Sequence, residues 1–289
     1  MIRVKWVSLV AVVFVVLVIG VMVYGSWRWA HGARAMRAQL EGARMPVTPA
    51  RYSASELDAL PWPVQRYFRT VLRDGQPIIT AVTVRHAGQF NMSASGDQWK
   101  PFTLTQRVIT RCPGFDWDAR VRVMPGVAVH VHDAYIAGKG KLHAAVFGLI
   151  TVAKVPDSLE LQRGEFMRFF MEAAWYPTAL LRGQDVHWEA VDDQSAHASM
   201  SDGAITLTLL FRFNADGLID TVRAEARGRI VDGRITTAPW QGHFWNYAIR
   251  DGMRVPLQGE VAWIPANEND LTGAARSQRL RTSLRSSQG

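Results

Sequence analysis

The sequence predicts a mainly β protein of the α+β class. A strongly curved antiparallel sheet of about ten strands wraps around a central apolar helix, preceded by a single N-terminal transmembrane helix. Three observations carry this reading. From residue 78 to residue 264 apolar residues alternate with polar ones in short runs, and the runs are separated by Gly, Asn and Asp turn signals. One segment breaks that period. In residues 164–181, GEFMRFFMEAAWYPTALL, the three charges Glu165, Arg168 and Glu172 share a narrow sector of a helix, while Phe166, Met167, Phe169, Phe170, Met171, Ala173, Ala174 and Trp175 fill the rest of the circumference. A helix apolar on so many sides must be largely enclosed. Finally, residues 6–27 contain no charge.

The N-terminal run VSLVAVVFVVLVIGVMVYG has the roughly 20 apolar residues that a bilayer core demands. Trp6, Tyr24, Trp27 and Trp29 flank it where interfacial aromatics belong. The run is longer than a signal-peptide core, which favours an uncleaved anchor. Its lipid partner is the bilayer, met through residues 6–27. The basic stretch that follows, residues 28–44, reads as a short helix lying along the membrane surface, with Arg28, Arg34 and Arg37 against anionic headgroups. Counted by the positive-inside rule, the bases after the span lean toward a cytoplasmic body.

Residues 28–52 thus form a basic juxtamembrane segment and linker, with Pro46 and Pro49 near its end. Ser53 followed by Glu56 fits a capping box. A helix is expected over 63–72, where Val64, Tyr67, Phe68, Val71 and Leu72 recur at helical spacing. Strands follow, including 78–90, 102–110, 115–123, 127–136 and 142–155, then the enclosed helix, which Pro177 stops. Further strands run to residue 264. The folded domain is taken as 53–265, and residues 266–289, rich in Ser, Arg and Gln, as a basic disordered tail.

Of the formal net charge of +8, residues 1–44 hold +5 and residues 274–289 hold +4, so the body between them is close to neutral at −1. A nucleic-acid-binding domain would carry its charge on the folded body, which argues against that class. With Cys112 as the one cysteine, neither an intramolecular disulfide nor a cysteine metal site can form.

Candidate chemistry is sparse. His130 and His132 lie two apart on a strand, as some metal sites require, but no further ligand can be identified, and a polar strand face is the simpler account. Asp116 and Asp118 share a strand face with Arg120 and Arg122, which should keep both carboxylates ionised. Glu165, Arg168 and Glu172 form either a solvated stripe of modest ion pairs or the wall of a pocket. There is no GxSxG, HExxH, Walker or GxGxxG motif, so no catalytic residue and no cofactor is predicted.

Five segments carry a resemblance: LPWPVQRYF at 60–68, FDWDARVRVMPGVAVHVHDAYIAGKGKL at 115–142, the helix at 164–181, VHWEAVDDQSAHASM at 186–200, and WQGHFWNYAIRDGMRVPLQGEVAWI at 240–264. Together they resemble an uncharacterised bacterial family, a domain of unknown function often found behind an N-terminal membrane segment. The resemblance implies a lipoprotein-carrier-like (LolA-like) fold and an extracytoplasmic body, against the charge count. It transfers no catalytic residue. The function expected is binding of a hydrophobic or lipid ligand in the concave sheet, with Phe166, Phe169, Phe170, Trp175, Glu165, Arg168 and Glu172 as pocket candidates. The alternatives are an envelope enzyme using groups such as Glu165, Glu172, Asp116 or His132, and a structural or interaction module.

Overall fold

Two six-stranded antiparallel meanders form most of the molecule. A computed structural model describes residues 2–92, 98–231, 234–264 and 278–286. The first meander comprises β1 (Ala81–Asn91), β2 (Trp99–Ile109), β3 (Gly114–Met124), β4 (Val127–Ile136), β5 (Lys139–Val146) and β6 (Ile150–Val155). The second comprises β7 (His187–Asp192), β8 (Ser195–Asp202), β9 (Ile205–Phe213), β10 (Ile219–Val231), β11 (Arg234–Arg250) and β12 (Met253–Trp263). A last strand, β13 (Gln278–Ser286), pairs antiparallel with both β1 and β12 and joins the halves in the order β6-β5-β4-β3-β2-β1-β13-β12-β11-β10-β9-β8-β7. The sheet stays open, with β6 and β7 at its edges.

This corrects the single sheet of about ten strands in two places. The stretch 142–155 is two strands, because Phe147 and Gly148 both take left-handed backbone (φ 54° and 72°) and reverse the chain. A phenylalanine there gives no turn signal. The tail expected to be disordered instead supplies β13, although residues 265–277 lie outside those described.

The enclosed helix starts earlier and ends sooner than expected. α3 spans Leu159–Met171, capped by the Ser158 hydroxyl, which accepts from the Leu161 amide at 3.2 Å. Two tight 3₁₀ turns, Glu172–Trp175 and Pro177–Leu180, complete the segment. α3 touches β3, β4 and β5 on one side and β9 and β10 on the other, so the two half-sheets curve around it. Its rings pack into both: Phe166 against Tyr135, Phe170 against Phe211, and Trp175 edge-on to Phe244. Phe166, Phe169 and Phe170 are fully buried, and each contributes about 2–3 kcal/mol by area. The amphipathic helix over 63–72 forms as α2 (Trp62–Val71), with Val64, Tyr67, Phe68 and Val71 turned inward. The Ser53 amide donates to Glu56 Oε1 at 3.1 Å at the start of a short turn, Ala54–Leu57.

α1 (Ile2–Ala43) is one unbroken helix. Its first half is long and apolar enough to cross a membrane. Its second half does not lie free along a surface. It docks on the face of β2, β3 and β4 opposite to α3, and buries Trp29, Ala33, Met36 and Leu40, which recur at helical spacing. Arg37 therefore meets protein carboxylates, Asp116 at 3.0 Å and Asp118 at 3.5 Å, and Arg28 donates to the Gly148 carbonyl at 3.4 Å. For Arg37 in particular the expected headgroup contact is replaced by this pairing.

A buried charged cluster as the candidate functional site

Strand alternation sorts the polar residues of the first half-sheet onto two faces. On the face toward α3, β1 presents His86, β2 presents Gln106 and β4 presents Asp133, all buried. α3 and the turn after it bring Glu165, Arg168 and Glu172 against them at i, i+3 and i+7, also buried. The solvated stripe is thereby excluded.

Arg168 is the hub. Its Nη1 donates to Asp133 Oδ2 at 2.5 Å and its Nε to Glu172 Oε1 at 2.8 Å. Gln106 Nε2 donates to the other Glu172 oxygen at 2.7 Å. The guanidinium lies 4.6 Å from the Trp117 ring and 5.5 Å from that of Phe115, a cation–π setting suited to a buried arginine. Burial works against the charge on Arg168, but Glu172, Asp133 and Glu165 outweigh it and raise its pKa. From the second half-sheet, Arg227 stacks 3.9 Å over Trp240 and faces Glu165.

Glu165 is the unusual member. Burial, and then the charge of Asp133, push its pKa well above the ordinary 4.5, and the neighbouring arginines only partly offset this. Asp133 Oδ1 and Glu165 Oε2 receive no donor from the surrounding side chains. The two carboxyl groups face each other, and the proximity of Asp133 is part of what raises Glu165. His86, 4.5 Å from the Trp175 ring, is pushed down to about 3 by burial and then by the Arg168 charge, and so stays neutral. Neither His86 nitrogen has a hydrogen-bond partner, nor does Gln106 Oε1. Unpaired polar atoms in an apolar interior cost free energy, and this concentration of them needs a reason.

The predicted residues divide between the faces. Glu165, Arg168 and Glu172 converge in the cluster, while Phe166, Phe169, Phe170 and Trp175 surround it as packed core. Asp116, Asp118, His130 and His132 lie on the opposite face under α1. There the Trp29 indole sits 4.6 Å from His132, 5.3 Å from His130 and 5.4 Å from His143, and donates to Asp118 at 3.0 Å. Among the described residues no group of three or more His, Cys, Asp or Glu is arranged to hold a metal. Arg120 and Arg122 do not set the Asp116–Asp118 pair. Burial raises Asp116, whereas Asp118 falls below its ordinary value because His132, Trp29 and Arg37 outweigh its burial. A groove of about 290 Å³ runs beside this seam, lined by Ser26, Trp29, Asp118, Arg120 and His130 among others.

Sequence reasoning missed His86, Gln106, Asp133 and Arg227. His86, Gln106 and Asp133 are each a lone polar residue at an inward position of an alternating strand, the one signal that could have flagged them. Arg227 follows a β-bulge after Ala224 that breaks the alternation and leaves no such signal.

These features define a class: a mainly β domain curved around a buried charged cluster, carried on a helix that extends beyond it. The chain belongs to a family of unknown function, DUF6920, which matches residues 58–271. The crystal structure of a LolA superfamily protein from Nitrosomonas europaea is similar over 76% of this chain and 90% of that one, at 11% identity and a TM-score of 0.36. No curated protein matches at a significant level.

Proposed function

We propose that this is a membrane-anchored binding protein for an amphiphilic ligand, a lipid or acyl chain with a polar head, held where the two half-sheets close on α3. The observation that carries the reading is the set of unpartnered polar atoms on His86, Gln106, Asp133 and Glu165 inside an otherwise apolar interior. An amphiphile offers both kinds of surface at once, with the head against the cluster and the chain among Phe166, Phe169, Phe170 and Trp175. Residues 6–27 of α1 act as an uncleaved single-pass anchor. The continuity of that helix with the docked segment supports this, since a cut near Gly25 would sever it at the body. We place the body on the extracytoplasmic side, and a topology reporter fused after Gly289 tests that placement.

The binding reading is tested with a photoactivatable fatty acid added to the full chain in detergent. Cross-links mapping to the peptide at 159–175 support it, and cross-links confined to residues 5–27 reject it. A second reading, an envelope enzyme, is favoured by Glu165, a buried carboxyl whose pKa is raised well above its ordinary value beside a second carboxyl group, as a general acid requires. Asp116 and His132 lie on the other face and cannot join it.

A further inference from the structure

We infer that one end of the first half-sheet is itself a bilayer-contact surface, so the body rests on the membrane instead of hanging from it. The inference relies on α1 spanning the bilayer, and it adds which part of the body meets the lipid. In a meander alternate turns share an end, so the β3–β4 and β5–β6 turns lie together, at the end where β1 stops at Asn91 and β2 starts at Trp99. α1 leaves the body at that same end. A Cβ on Gly25 would fall 2.2 Å from the Phe147 carbonyl and 2.8 Å from the Leu149 side chain, so the helix and the β5–β6 turn are in direct backbone contact there. Further along, Leu40 packs with Ala81 and Ile109, at the other end of the strands. The helix thus runs the length of the sheet's outer face and passes on toward the membrane past the β5–β6 turn.

Length fixes the height of this contact. The charge-free stretch from Trp6 to Gly25 is 20 residues, or about 30 Å of helix, the thickness of a hydrocarbon core. The span therefore ends where the body begins, and Tyr24 and Trp27, both exposed, mark the interface at that level. This end presents what an interface accepts. Met92, after the end of β1, is 40% exposed, Met124 at the end of β3 61%, and Ile150 at the start of β6 65%. Arg122, exposed and two residues before Met124, and Lys100, half-buried at the start of β2, stand just above this end, where anionic headgroups lie. Exposed apolar tips fringed by bases, held beside a membrane-spanning helix, complement a lipid surface.

The test uses the full chain with Cys112→Ser, reconstituted in nanodiscs of phosphatidylcholine and phosphatidylglycerol. Single cysteines replace Val16, Met124, Ile150 or Asp216, the last being in the β9–β10 turn at the opposite end, and each carries an environment-sensitive fluorophore. Labels at 124 and 150 are expected to shift to the blue and to be quenched severalfold by lipids spin-labelled near the headgroup, the label at 16 by deep quenchers, and the label at 216 by neither. A deep label at 16 with labels at 124 and 150 as wet as that at 216 overturns the contact surface and leaves the anchor standing. A wet label at 16 overturns the anchor, and the contact surface with it.

Discussion

At the residue scale, Glu165 and His86 give the fold a pH dependence with two separate origins. The raised pKa of Glu165 means that its proton stabilises the folded state in full below about pH 4.5, and this contribution is lost as pH rises through the folded value. Glu165→Gln keeps a donor toward Asp133 without a titrating proton. Its unfolding free energy, measured by denaturant titration across pH 4 to 9, should lose the alkaline decline of the parent and exceed it at the high end. An unchanged decline would assign the effect elsewhere. His86 acts in the other direction. Its depressed pKa contributes stability above the ordinary value of 6.5 that is lost as pH falls toward the folded value near 3. The linkage amounts to about 2 kcal/mol by pH 5, and His86→Leu should remove it from the acid limb alone. Arg168 has no tolerant replacement. Arg168→Met strands Asp133 and Glu172 without their shared donor, and the expected loss is about 3–5 kcal/mol, the range for breaking a buried ion pair.

At the scale of elements, the seam between α1 and the outer sheet face depends on close approach at Gly25 and on one deeply buried charge. Gly25→Val places a side chain where the Phe147 carbonyl already lies, and the turn has no slack, since Gly148 at φ 72° is itself packed on the Gly25 backbone and Trp29. The helix should lift from the β5–β6 turn while the rest of the domain stays folded. Limited proteolysis reads this as new cleavage confined to 26–32, N-terminal to the Arg37–Asp116 pair, at an unchanged melting temperature for the body; a melting temperature that falls with the cleavage would mean this end of the seam is integral to the fold. Arg37→Leu leaves fully buried Asp116 without its partner and should cost about 2–3 kcal/mol. This seam also shows what the sequence concealed. Asp116 and Asp118 alternate correctly on their strand, and the basic run at 28–44 is plain, but their pairing spans some 80 residues and leaves no local trace. For Arg37 the expected headgroup contact gave way because protein carboxylates took its place. The apolar arc of α3, by contrast, was legible from period alone, since a helix greasy on nearly every side has only one environment available to it. What period could not settle was its charged sector. Three charges at i, i+3 and i+7 read the same in water as they do against Gln106 and Asp133, which belong to distant strands.

At the scale of the whole molecule, the sheet depends on β13 to connect its halves. About ten strands were readable because their alternation is locally encoded, whereas β13 lies in an Arg- and Ser-rich tail whose composition argues for disorder, and only its pairing with β1 and β12 makes it a strand. Without it, β1 and β12 become open edges facing each other, and the half-sheets are held together by α3, the turns that follow it and contacts such as the Tyr135 hydroxyl donating to Asp202. Open edges expose a row of unpaired amides and carbonyls, which invites association with other chains. A chain ending at Ile264 should therefore retain both meanders but show fast amide exchange along β1 from Val82 to Phe90, the residues now paired with β13, and concentration-dependent self-association in detergent. Exchange in α3 should rise less, because it buries its rings in both halves. If β1 amides exchange as slowly in the shortened chain as in the full one, the two meanders meet directly and β13 is dispensable. If α3 and β1 open together, the halves form one cooperative unit for which the last strand is the closing element.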